Sequence, residues 1–150
     1  MERFTLRIAL DTDIDDLFRI RTSVRDNHLS VEQMAELGIT HDTLPAMLTG
    51  AGRGWVAEQQ GQVVAFSMAD AEDATIFAVF VDPAFEGHGL GKRLTQAAEE
   101  WLFAQGCTEI WLNTDNNRDV RANGFYRHLG WIEEGPAEDE QTRFIKRLLQ

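Results

Sequence analysis

Cysteine is nearly absent from this chain. Cys107 stands alone, which excludes a disulfide framework and fits a reducing compartment. Flanked by Gly106 and Thr108 ahead of an apolar strand pattern, it reads as a small buried hydrophobe rather than a catalytic thiol. No apolar run approaches the length of a membrane span, and the N-terminus has no signal-peptide core. A soluble, cytoplasmic protein with no membrane partner is therefore expected. Cations are scarce too: 14 Lys and Arg face 25 Asp and Glu, a net charge of −11. That balance argues against nucleic acid, whose backbone needs a basic face. His28, His41, His88 and His128 form no metal-ligand spacing with one another or with Cys107, so no metal is expected. Repeats, low-complexity tracts and linkers are absent, and 150 residues suit one domain over 1–150.

What is present is enough for a full core. Hydrophobic residues make up 43%, and a chain of this length buries about two-thirds of its unfolded surface without staples. The charge is unevenly spread. Residues 84–131 carry five cations against six acids, whereas residues 1–83 carry six against fourteen. An acidic first half suits a cationic amine acceptor, and it equally suits plain solubility.

The pattern along the chain alternates strands and helices. Phe4 to Ala9 alternates Phe4, Leu6 and Ile8 with Thr5 and Arg7, as a half-buried strand does. Asp11 to Asp13 starts a helix reaching about Arg25, and Ser30 caps a second running through Leu37. A loop from Gly38 to Thr49 includes a helical turn from Thr43. Trp55 to Glu58 and Val63 to Asp70 are strands around Gln60-Gly61, a hairpin signal. Asp70 to Asp73 makes a tight connection into an apolar strand that starts near Thr75. Leu90, Leu94, Ala97, Ala98, Trp101 and Leu102 mark the buried stripe of a central helix. Trp131 to Glu134 and Thr142 to Leu148 form the last strands, separated by Gly135-Pro136 and an acidic loop.

The most informative stretch runs from Ile76 to Leu94: an apolar strand, the turn Glu86-Gly87-His88-Gly89-Leu90-Gly91, and an amphipathic helix. Glycines let main-chain N–H groups converge on one point, and the helix adds its positive dipole end. Such a turn receives phosphate. A P-loop is excluded, because Glu86 stands where its first glycine belongs and Arg93 follows Lys92 in place of Ser or Thr. A dinucleotide fingerprint is excluded as well, since Gly87, Gly89 and Gly91 are spaced one residue too tightly.

Val81 through Gly91 instead resembles the pyrophosphate loop of the GNAT superfamily of N-acetyltransferases, in which an x-x-G-x-G/A turn holds acetyl-coenzyme A. A second block agrees. Arg121 to Trp131 is similar to the family pattern A-x-x-x-Y-x-x-x-G-F/W, and Tyr126, the sole tyrosine, takes the position near the coenzyme A sulfur. Two positions depart from the pattern. Glu86 replaces the usual Arg or Gln, and Asp119 replaces an Asn seven residues before the tyrosine.

The resemblance covers nearly the whole chain and is specific over about residues 76–131. It implies an α/β (α+β) fold: a mixed, mostly antiparallel twisted sheet flanked by helices, in the order β-α-α-β-β-β-α-β-α-β-β. The sheet should splay open between the strands carrying Val79 and Leu112. The implied activity is direct transfer of an acetyl group from acetyl-CoA to a primary amine, without an acyl-enzyme or metal. Cofactor contacts fall on Val79, Phe80, Val81, Glu86, Gly87, His88, Gly89, Leu90, Gly91, Lys92, Asp119 and Tyr126. A phenol, with an ordinary pKa of about 10, stays protonated at neutral pH and is able to return a proton to the departing thiolate. The amine in turn needs a base, and Glu72 at the entry to the cofactor strand is the candidate. Arg25, Asn27 and His28 are the implied acceptor contacts, on a small-molecule or peptide amine, and a homodimer is compatible. The alternatives are a non-catalytic acyl-CoA-binding or sensing domain, and an interaction module that keeps only the fold.

Overall fold

In the computed structural model, residues 4–23, 30–115, 121–137 and 141–148 are described. The strands are β1 (Thr5–Ile8), β2 (Gly52–Gln59), β3 (Gln62–Asp70), β4 (Thr75–Val81), β5 (Glu109–Asp115), β6 (Ile132–Ala137) and β7 (Gln141–Arg147). The helices are α1 (Ile14–Ser23), α2 (Val31–Glu36), α3 (Leu44–Met47), α4 (Leu90–Ala104) and α5 (Arg121–His128). The sheet order β1-β2-β3-β4-β5-β7-β6 is antiparallel throughout except between β4 and β5. This is the mixed sheet flanked by helices that the sequence pattern implies, with α3 supplying the helical turn after Thr43. Among the described residues, no helix is long and apolar enough to cross a membrane.

Local chemistry sets the element ends. Ser30 caps α2 reciprocally: its Oγ accepts from the Gln33 N–H at 3.1 Å, and its own N–H donates to Gln33 Oε1 at 2.8 Å. Asp11–Asp13 is a 3₁₀ turn rather than the first turn of α1. In that turn the Asp13 carboxylate accepts both Arg7 guanidinium nitrogens, at 2.8 and 2.9 Å, and the Leu10 N–H at 2.8 Å. The Arg7 bond in particular holds Asp13 below the usual carboxylate range.

Two apolar layers pack on the sheet. Leu90, Leu94, Ala98 and Leu102 of α4 meet Ile110, Leu112 and Phe144 on one face. On the other, Leu17, Phe18 and Ile20 of α1 meet Met34, Phe66 and Met68. Leu94, fully buried, contributes about 2 kcal/mol of transfer free energy by itself.

Four details differ from the sequence pattern. On α4, Thr95 and Glu99 are buried while Ala97 and Trp101 are only half-buried. Glu99 tolerates burial because it accepts from Trp131 Nε1 at 2.7 Å and from Lys146 Nζ at 3.0 Å. Gly135-Pro136 lies within β6, not in a loop, at a register shift between Glu133 and Gly135. Proline is tolerated there because β6 is an edge strand carrying a bulge. Ile8, at the end of the opposite edge strand, is 47% exposed, so the inward alternation holds only for Phe4 and Leu6. Cys107 is half-buried, its Sγ donating to Ala71 O at 3.6 Å.

Candidate active site

The parallel strands β4 and β5 meet at one registered pair, Thr75 with Trp111, and then diverge. Three bonds clasp that end. The Trp111 N–H donates to Ala74 O at 3.0 Å, Thr75 Oγ1 donates to Trp111 O at 2.8 Å, and Trp111 Nε1 donates to Asp73 O at 2.8 Å. Beyond it β4 stays with β3 as far as Val81, and β5 stays with β7 as far as Asp115. The expected splay between Val79 and Leu112 is therefore present.

Register decides which backbone groups face the gap. The Asp82 N–H donates to Val64 O at 2.9 Å, and antiparallel residues alternate sides. Phe80 and Ala78 consequently spend their polar groups on β3, while Val79 and Val81 turn theirs toward the gap. Of Phe80 and Val81, whose backbone the family resemblance implies for the pantetheine arm, Phe80 is the one directed elsewhere. A bulge displaces Phe77, because Met68 pairs with Ala78 and Ala69 with Ile76.

At the open end of the gap stands the glycine turn. Gly87 and Gly89 have φ of 85° and 75°, and a Cβ at either would meet nothing within 4 Å. Gly89 is the N-cap of the 15-residue α4, without a side-chain cap and with no acid in the first turn. The first N–H groups of α4 therefore lack an internal acceptor. Lys92 and Arg93 are exposed in that turn. The open space, uncapped donors and flanking cations fit a pyrophosphate. Gly91 differs from its neighbours: a Cβ there would touch the Phe125 ring at 3.4 Å, so this glycine serves the approach of α5 to α4. Glu86 and His88 are exposed, the His88 ring lying 5.2 Å from that of Phe4, and Leu90 is buried in the core.

Tyr126 projects from α5 into the same core layer as Val79 and Val81. It is 8% exposed, and its ring centroid lies 5.0 Å from Phe125, 6.0 Å from Trp131 and 6.2 Å from Phe144. Burial among these rings, reinforced by the Glu99 carboxylate, raises the phenol above its ordinary value. A group so placed keeps its proton at neutral pH.

On the opposite face, α1, α2 and the sheet enclose a cavity of about 440 Å³. Phe77, Ala78 and Phe80 of β4 line it, with Thr75 and Trp111 at the clasp. Arg21 reaches its wall from α1, its guanidinium carbon 4.2 Å from the Phe80 ring centroid. Nη1 is shielded from water and has no hydrogen-bond partner among the described residues. Burial lowers the pKa of this guanidinium. Arg25, Asn27, His28 and Asp119 lie outside the described residues. Arg21, four positions before Arg25, carries no motif that singles it out in the sequence. Glu72 is exposed in the β3–β4 turn, where its N–H donates to Asp70 Oδ1 at 2.9 Å. The four residue-to-residue steps from Thr75 to Val79 alone span about 13 Å, so Glu72 is not brought beside Val79.

Residues 13–131 match the family model described as Acetyltransferase (GNAT) family. The chain belongs to that family. An uncharacterized N-acetyltransferase of Methanocaldococcus jannaschii is 31% identical over 105 residues, 63% of this chain and 45% of that one. A ribosomal-protein-bS18-alanine N-acetyltransferase of Haemophilus ducreyi is 31% identical over 75 residues, 49% of this chain and 51% of that protein. These matches thus span about half the length of the curated relatives. Among solved structures, the PaiA N-acetyltransferase of Thermoplasma acidophilum in complex with coenzyme A superimposes with a TM-score of 0.78. It shares 14% identity, covering 97% of this chain and 99% of that one, a likeness of fold. The GNAT assignment agrees with the clasped, diverging strands and with the glycine turn at their open end.

Proposed function

We propose that this chain is an acetyl-CoA-dependent N-acetyltransferase acting directly on a primary amine, as a single cytoplasmic domain. The observation that carries this reading is the uncapped N-terminus of α4, preceded by Gly87 and Gly89 in open space beside the β4–β5 gap. The N–H groups of the turn and of the first turn of α4 would hold the pyrophosphate, with Lys92 and Arg93 adding charge. Val79 and Val81 would offer backbone groups to the pantetheine arm as an added strand does. When bound, acetyl-CoA supplies an activated acyl group as a thioester.

The chain's own residues orient and protonate. Val79 and the gap would hold the acyl group near the cavity, turning a bimolecular encounter into an oriented one. Tyr126, protonated in its buried setting, would give its proton to the departing sulfur and regain one from solvent. Among its described residues the cavity wall carries no carboxylate or imidazole. The amine would enter in its neutral form and pass the proton it sheds to water or to a base outside the described residues.

The relatives support an amine acceptor, one of them being named for the alanine of a ribosomal protein. Thiol release from acetyl-CoA on mixing with amines tests the proposal. Amine-dependent release is expected. Tight acetyl-CoA binding without release across a broad amine panel would favour the acyl-CoA-binding alternative.

A further inference from the structure

Among its described lining residues, the acceptor cavity has one cation and no acid to neutralise it. Phe18, Met34, Phe66, Met68 and Phe80 make the remainder apolar. The neutral polar side chains are already engaged: Thr75 Oγ1 donates to Trp111 O, and Asn113 Oδ1 accepts from Arg143 Nε at 3.1 Å. The acids on α1 are engaged elsewhere as well. Asp15 pairs with His41 at 2.9 Å, and Asp16 pairs with Arg19 at 3.3 Å. Arg19 also takes Asp82, at 3.2 Å.

Arg21 is left with donors to spare. Its guanidinium carbon lies over the Phe80 ring, Nη1 is buried with no acceptor among the described residues, and the part of the side chain that lines the cavity therefore carries a charge that nothing described neutralises. A guanidinium offers five donors in a rigid fork, and a buried charged donor without an acceptor is costly. The group that matches the fork is a planar oxyanion with two oxygens, a carboxylate. A volume of about 440 Å³ belongs to small-molecule sites, which run from about 300 to 1,000 Å³.

We propose that the acceptor is a small amino carboxylate with an apolar body: its carboxylate pairs with Arg21, and its body lies on the apolar wall. This inference rests on the acetyltransferase reading of the same site and narrows it. A polyamine is disfavoured, because the wall meets it with a like charge and offers no described acid. The acidic excess of the first half of the chain does not reach this cavity through α1.

Binding and turnover separate the two claims. In the first arm, 4-methylpentanoate and 4-methylpentanamide are titrated calorimetrically into the wild type, Arg21→Lys and Arg21→Met, with acetyl-CoA affinity measured on each as a check of fold. The carboxylate should bind at least about tenfold tighter than the amide to the wild type. The difference should shrink in Arg21→Lys and vanish in Arg21→Met, with acetyl-CoA affinity unchanged. Equal binding of acid and amide, binding of neither, or discrimination that survives in Arg21→Met would overturn the inference. In the second arm, thiol release is followed with apolar amino acids, their amides and their decarboxylated amines. Preference for the amino acids, lost through KM in Arg21→Met, is expected. Equal turnover of all three would overturn the subsite and leave the acetyltransferase reading intact. No turnover beside Arg21-dependent carboxylate binding would overturn that reading and leave the anion subsite standing.

Discussion

Thr75 Oγ1 donates to the Trp111 carbonyl at 2.8 Å, at the pair where β4 and β5 are in register. The bond ties together two strands that separate immediately afterwards, so it helps set the closed end of the gap. Replacing Thr75 by Val removes the donor at nearly constant volume. A loss of about 1 kcal/mol is expected, read from the midpoint of urea unfolding. Trp111→Phe, which loses the indole bond to Asp73 O, should cost a similar amount.

Glu99 anchors the other face. Its two oxygens take Trp131 Nε1 and Lys146 Nζ, and its side chain is 9% exposed. Glu99→Ala leaves both donors without that acceptor and should destabilise by about 3 kcal/mol in chemical denaturation. Glu99→Met should be milder than Glu99→Ala when Lys146 is also changed to Met, because the orphaned charge is then gone.

The Asp13–Arg7 pair gives a pH signature. Asp13 has its carboxyl lowered from an ordinary value of 3.8, mainly by the Arg7 hydrogen bond. A depressed carboxyl contributes stability that is fully present above its unfolded value and is lost as pH falls through the folded one. Stability should therefore hold from neutral pH to about 5 as far as this pair is concerned, then fall below about 4. In Asp13→Asn that part of the acid limb should flatten, with a cost of about 2 kcal/mol at pH 7. Thermal melts across the acid range measure both.

The glycine turn and the helix that follows it are legible in the sequence because their signals are local. Gly87 and Gly89 are free to adopt the positive φ that the turn uses, and the helical period after them is plain. Pairings between distant segments were not legible. Glu99 looks like a surface position until Lys146, 47 residues away, is placed beside it. Gly135-Pro136 has the composition of a loop, and only its place on an edge strand makes it a bulge. The division of labour between Val79, Phe80 and Val81 depends on the β3 register, which an unbroken apolar run does not specify. Arg21 carries no motif, and its isolation in the cavity wall emerges only once α1 packs on β4.

Tyr126→Phe removes the proposed acid and keeps the ring that packs on Trp131 and Phe144. The expected result is a fall of about 100-fold in kcat with acetyl-CoA affinity unchanged. Because the folded environment raises this phenol, it stays protonated up to and beyond its ordinary value of about 10. The wild-type rate should therefore show no Tyr126-dependent alkaline fall between about pH 7 and 10. It should instead rise as the acceptor amine deprotonates. Steady-state pH profiles of both proteins settle the point.

The most direct test of the central claim is calorimetric titration of acetyl-CoA into the wild type, Gly89→Ala and Gly89→Glu. Both substitutions place a side chain at φ 75°, so alanine controls for backbone strain while glutamate adds negative charge in the open space beside the α4 N-terminus. Binding by the wild type, kept largely by Gly89→Ala and weakened at least about 100-fold by Gly89→Glu, is the predicted result. No binding by the wild type, or equal binding by the glutamate variant, would contradict a cofactor site at this glycine turn.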